Sequence, residues 1–94
     1  MPILHVQHAV PSFEVWKRLF DDDMNDRKQV GVRRYRIHRG VFDPGMVMIE
    51  LEFDEIAEAE QFRQRLYGLW AGPVRSRVQD PQAWIVETVE SVEL

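Results

Sequence analysis

The stretch from Gly31 to Phe53, GVRRYRIHRGVFDPGMVMIELEF, constrains this chain more than any other. In its second half Val47, Ile49, Leu51 and Phe53 alternate with Met48, Glu50 and Glu52. In its first half Tyr35 and Ile37 alternate with Arg34, Arg36 and His38. Successive side chains of a strand point to opposite faces, so each half reads as a strand with one apolar and one polar side. Asp43-Pro44-Gly45 is the expected turn between them, with Gly45 free to take a positive φ. The apolar sides coincide only if odd positions pair with odd positions. The shortest loop that achieves this sets Ile37 opposite Leu51 and Tyr35 opposite Phe53. It also sets Arg36 against Glu52 and His38 against Glu50. A slip by one residue would lose both matches.

The remaining elements arrange themselves around this hairpin. Ile3 to Val10 reads as a first strand, with Leu4, Val6 and His8 on one side and Ile3, His5 and Gln7 on the other. Ser12 suits the N-cap of a helix. Phe13, Val15, Trp16, Leu19 and Phe20 share one arc at helical spacing, with Glu14, Lys17, Arg18 and Asp21 opposite. Asp21-Asp22-Asp23 opposes the helix dipole at its C-terminal end and predicts a break there. Asn25 to Val30 reads as a further short turn closed by Gly31. After the hairpin, Asp54 is the expected N-cap of a second amphipathic helix over about Glu55 to Leu69. Its stripe is Ile56, Ala59, Phe62, Leu66 and Trp70, with Glu58, Gln61 and Arg65 away from it. Ala71-Gly72-Pro73 stops that helix, Val74 to Gln82 reads as a loop, and Trp84 to Leu94 as a last strand.

The order β-α-β-β-α-β over one domain, residues 1–94, predicts an α+β ferredoxin-like fold. Right-handed crossovers give an antiparallel sheet with both helices on one face. The hairpin's apolar side should meet the helices. The other face, with Arg34, Arg36, His38, Met48, Glu50 and Glu52, is left bare and could meet a copy of itself.

Composition narrows function by exclusion. A formal net charge of −4 does not favour nucleic acid or an anionic membrane surface. The chain has no cysteine, which removes disulfide and thiolate chemistry and is compatible with a reducing cytoplasm, the expected location. No apolar run is long enough to span a bilayer. His5, His38 and Glu50 fall on the bare face, but the two histidines lie on strands with another between them, roughly 10 Å apart. His5 and His8 point to opposite faces. No metal is expected. Asp21 to Lys28 lacks a calcium-loop spacing and reads as a solvated charge run. No phosphate-binding glycine loop or nucleophile elbow is present.

Taken together, the strand ILHVQHAV, the helix SFEVWKRLF, the segment DDDMNDRKQVGVRRYRIHRG and MVMIELEF followed by DEIAEAEQF resemble the dimeric α/β-barrel superfamily over nearly the whole chain. That group includes antibiotic-biosynthesis-type monooxygenases, polyketide cyclases and haem-degrading monooxygenases. The resemblance implies a homodimer packed sheet to sheet. It also implies a pocket between sheet and helices that takes an aromatic small molecule, used by a cofactor-independent monooxygenase or a polyketide-type cyclase. Haem-degrading members commonly carry a histidine on the second helix; here that helix has none. On this reading His8, Tyr35 and Arg39 are the candidate catalytic residues, His8 as base and the other two orienting the substrate. Trp16, Phe20, Phe62, Leu66 and Trp70 are the candidate pocket walls. The alternative is a non-catalytic binding or assembly module, for which the same aromatics are plain core.

Overall fold

The computed structural model describes residues 1–22, 24–72, 75 and 77–94. Its elements are β1 (Ile3–Ala9), α1 (Phe13–Asp22), α2 (Met24–Gln29), β2 (Arg34–Arg39), β3 (Met46–Glu52), α3 (Ile56–Ala71) and β4 (Gln79–Val86). The strands form one antiparallel sheet in the order β2-β3-β1-β4. This is the ferredoxin-like α+β arrangement expected from the element order.

Alternation decides which side of the sheet is covered. Leu4, Val6, Val47, Leu51 and Phe53 are the largest fully buried side chains and cluster with Trp16 of α1 and with Ala59 and Phe62 of α3. Burying each such aliphatic or aromatic side chain stabilises the fold by roughly 1.5–3 kcal/mol. Their strand neighbours Ile3, His5, Gln7, Met48, Glu50 and Glu52 are only half-buried, on the side without helices.

The helix ends follow local chemistry. At the start of α1 the Val15 backbone N–H donates to Ser12 Oγ at 3.4 Å. α1 ends at Asp22 and α2 begins at Met24, so the break falls in the acidic run as expected; Asp23 itself lies outside the described residues. Gly31, at φ 103°, closes α2, with the Val32 N–H donating to the Arg27 carbonyl at 3.1 Å. Glycine suits this left-handed backbone angle, and the tip of the Glu58 side chain of α3 lies 2.5 Å from where a Cβ would stand.

Several expectations need correction. The hairpin keeps the predicted parity but is shifted by two residues. Ile37 faces Ile49, Tyr35 faces Leu51, Arg36 faces Glu50 and His38 faces Met48. The cause is β1. The Val10 N–H donates to the Gly45 carbonyl at 2.7 Å, so pairing of the first strand reaches Gly45 and holds the start of β3 in the sheet. The Pro-Gly turn survives as a Met46 N–H to Asp43 carbonyl bond of 3.0 Å, but Val41 and Phe42 now lie in the loop. Gly45 does not have a positive φ; its lack of a Cβ instead lets the Val10 oxygen approach to 3.0 Å of where one would stand. Arg34 gains Glu52 as its cross-strand partner, at 3.2 Å.

Asp54 does not cap the second helix. Glu55 does, in a reciprocal capping box with Glu58, while Asp54 Oδ2 accepts from Arg33 Nε at 2.7 Å. Ile56, placed on the apolar stripe by spacing, is exposed. The last strand starts at Gln79, inside the stretch read as a loop, and ends at Val86 rather than Leu94. A strand lasts as long as its partner. Val86 faces Ile3, the first residue of β1, and residues 87–94 form no strand. Of the remainder of the expected loop, Val74 and Ser76 lie outside the described residues, as does Pro73 at the helix stop. Pro81 is tolerated because β4 is an edge strand and bulged. Gln7 faces Gln82 and Ala9 faces Gln79, so Asp80 and Pro81 together stand opposite His8. Asp80 takes φ 50°, a left-handed angle that aspartate accepts more readily than most residues.

Candidate active site

His8 is the polar residue that alternation forces inward. It follows Leu4 and Val6 on the covered side of β1 and is 3% exposed. Val47 pairs with it on one side, and the Asp80-Pro81 bulge lies against it on the other. Its ring meets Trp16 nearly edge-on at 5.4 Å and Trp70 at 6.4 Å, the centroid separations of favourable aromatic pairs. Its Nδ1 has no hydrogen-bond partner among the described residues. Burial pushes the imidazole down from its ordinary 6.5 to about 4, an effect its own backbone offsets only in part. His8 is therefore neutral near pH 7.

It faces a cavity of about 120 Å³ between the sheet and the helices, floored by Val6, Ile49 and Leu51 and walled by Trp16, Phe20, Phe62, Leu66 and Trp70. All five aromatic or aliphatic side chains expected as pocket walls line it. They belong to α1 and α3, whose apolar stripes converge on β1 and β3. Trp16 and Phe20 stack at 5.1 Å, and Phe62 leans on Phe53 at 5.7 Å.

Tyr35 and Arg39 are not brought to the cavity. Both lie on β2, the outer strand, two strand spacings or about 10 Å from β1. Tyr35 packs edge-on against Phe20 at 5.2 Å, behind the cavity wall. Arg39 is exposed, its guanidinium 4.8 Å from the Phe13 ring.

The cations that do line the cavity are Arg27, Arg65 and Arg77, none of which sequence reasoning singled out. Arg27 sits in what reads as a solvated charge run, yet it is 4% exposed. Its guanidinium carbon lies 3.6 Å from the Phe20 ring centroid and 5.4 Å from that of Tyr35. Helical spacing sets Arg65 away from the apolar stripe. It is nevertheless three residues after Phe62 and four before Leu69, both cavity residues, and that spacing was a legible signal. Arg65 pairs with Asp26. No acidic side chain lines the cavity among the described residues. Among them, no group of three histidine or carboxylate side chains is placed to hold a metal ion, and no helix is long and apolar enough to cross a membrane.

No protein-family model matches this chain, and no curated protein matches it. Solved structures share its fold. An antibiotic biosynthesis monooxygenase superposes with a TM-score of 0.70 at 16% identity, covering 96% of this chain and 100% of the other. A dimeric ferredoxin-like protein from an uncultured marine organism superposes with a TM-score of 0.70 at 11% identity, covering 97% of each chain. A candidate antibiotic biosynthesis monooxygenase from Deinococcus radiodurans superposes at 0.60 and 17% identity, covering 100% of this chain and 98% of the other.

Proposed function

We propose that this protein is a small enzyme that binds an aromatic compound between its sheet and helices and removes a proton from it with His8. The observation that carries this reading is His8 itself: a buried, neutral imidazole that lines a cavity walled by Trp16 and Trp70 and whose Nδ1 has no partner among the described residues. Buried polar side chains are nearly always hydrogen-bonded, and the exceptions cluster at sites that need a partner from outside.

The names of the structural neighbours suggest the step after deprotonation. A methylene flanked by aromatic or carbonyl groups is acidic enough to give a stabilised carbanion. That carbanion passes one electron to dioxygen. The two radicals combine to a hydroperoxide, and loss of water leaves a carbonyl, so that CH2 plus O2 gives C=O plus H2O. No cofactor is required for the electron balance. Without dioxygen the same carbanion could close a ring on an internal carbonyl, as a cyclase does. An imidazolium with a pKa near 4 is a strong acid for its kind, so His8 is a weak base in the empty cavity. Negative charge developing on the substrate beside it would raise that pKa in the low-dielectric interior and help the transfer.

We also infer that two protomers pair through the uncovered face of the sheet. Trp84 is 44% exposed there and packs against His5 at 5.8 Å, with Val86 exposed beside it. A large aromatic on an open sheet face is a common element of an interface.

Oxygen uptake tests the catalytic reading. With aromatic substrates bearing an acidic methylene, His8→Ala and His8→Gln should each lose about 10²-fold or more in turnover, the usual contribution of a positioned base. Unchanged uptake in both folded variants would sink the assignment. A protein that binds such compounds, consumes no oxygen and returns them chemically unchanged would fit the second reading, a non-catalytic binding module, which the depressed basicity of His8 also suits.

A further inference from the structure

Arg27 has a role that its position in the fold does not explain. Its guanidinium is buried, and Nε and Nη2 have no hydrogen-bond partner among the described residues. The neighbouring carboxylate, Asp26, turns to Arg65. Contact with the Phe20 and Tyr35 rings compensates part of the lost hydration, but a buried cation with no counter-ion among the described residues remains strongly unfavourable. A guanidinium cannot escape by giving up its proton.

The two unpaired atoms are informative as a pair. Nε and Nη2 share one edge of the guanidinium and donate in parallel, the geometry that takes both oxygens of a carboxylate at once. Arg27 lines the same cavity as His8; both atoms are closed off in the empty protein, so a ligand would meet them once the guanidinium turns off the Phe20 ring. The chain as a whole carries a net charge of −4, yet no carboxylate borders that cavity among the described residues. Volume sets the rest. At about 120 Å³ the cavity is close in size to an engineered apolar cavity of about 150 Å³ that holds benzene, and it is well below the usual range for multi-ring ligands.

We propose that the cavity is a receptor for a single-ring aromatic carboxylate, its two oxygens held by the Nε–Nη2 edge of Arg27 and its ring lying against Trp16 and Trp70. This rests on the cavity being the functional site and narrows its substrate class from aromatic compounds in general to one-ring acids.

The test is a titration of the full chain with benzoate, with benzamide as its neutral counterpart of the same shape, and with anthracene-2-carboxylate as a larger acid. Indole N–H resonances report it: Trp16 and Trp70 line the cavity, and Trp84 on the opposite face is an internal control. Benzoate should shift the first two and not the third, and bind at least about tenfold more tightly than benzamide, the advantage of one charge-assisted pair. Anthracene-2-carboxylate should bind more weakly than benzoate. In Arg27→Gln the benzoate advantage over benzamide should vanish, and the empty Arg27→Met protein should melt a few degrees higher than wild type. Equal affinity for benzoate and benzamide in the wild type would overturn the carboxylate receptor and leave the cavity reading standing. Tighter binding of anthracene-2-carboxylate would overturn the one-ring limit. No shift at Trp16 or Trp70 with any of the three would overturn the cavity reading as well. If neither Arg27 variant folds, the wild-type contrast alone decides.

Discussion

The two faces of the sheet are built from the same strands and differ in nearly everything else. On the covered face Leu4, Val6, Val47, Leu51 and Phe53 are closed off from water, and the polar groups that remain, His8 and Arg27, retain unsatisfied atoms. On the open face charge is plentiful, Arg34 pairs with Glu52 at 3.2 Å, and the exposed apolar area centres on Trp84. A charge in water is satisfied by solvent, so its presence on the open face says little about purpose. An unpaired donor or acceptor inside the fold has a cost, so His8 and Arg27 say a great deal. The covered face is where chemistry should be sought, and the open face is where a second protomer should be.

Substitutions that ignore this difference should break the contrast. Phe53→Ala, on the covered face, should lose about 3–5 kcal/mol of unfolding free energy, by transfer and cavity terms together. Urea denaturation measures it; a loss under about 1 kcal/mol would mean that the core is not packed as described.

The next effect in size depends on pH. His8 has a folded pKa of about 4 against 6.5 for the unfolded chain, so between these values the unfolded state binds more protons. Stability is therefore complete above the unfolded value and falls as pH drops through this window. From about pH 7.5 to about pH 5 the loss from this one group should be about 2 kcal/mol. His8→Leu should remove that slope while leaving the carboxylate titrations in place. Parallel urea midpoints for wild type and variant across this range would refute the buried, neutral His8.

The smallest effect on the protomer should come from the open face. Trp84→Asp should change protomer stability by no more than about 0.5–1 kcal/mol, as surface substitutions do. It should nevertheless turn a dimeric wild type into a monomer in light scattering at micromolar concentration. A wild type already monomeric there would remove the proposed partner, and a variant still dimeric would move the interface elsewhere.

Much of this contrast is legible in the chain. Alternation in VMIELEF and LHVQH assigns each strand residue to a face without any knowledge of the neighbours, because the period of a strand is a local property of its backbone. The same alternation turns His8 inward, and helical spacing brings Trp16, Phe20, Phe62, Leu66 and Trp70 to it. What local rules could not supply was anything decided by a partner strand. The two-residue shift of the hairpin comes from the bond between Val10 and Gly45. The early start of β4 comes from the length of β1, and the bulge at Asp80-Pro81 from fitting an edge strand against it. Arg39 looked suited to hold an anion because it shares His8's side of the sheet, but a shared side is not a shared place, and β2 is too far out.

The chain by itself determined the order of elements, the covered face, the inward histidine and the aromatic walls, because each depends on residues a few positions apart. Only the tertiary structure decided which cation would be stranded. Whether Arg27 meets water, an acid or nothing depends on α1, α2 and β2 closing around it while Asp26 goes to Arg65. Burial and pairing are properties of what packs around a residue, not of its neighbours in sequence.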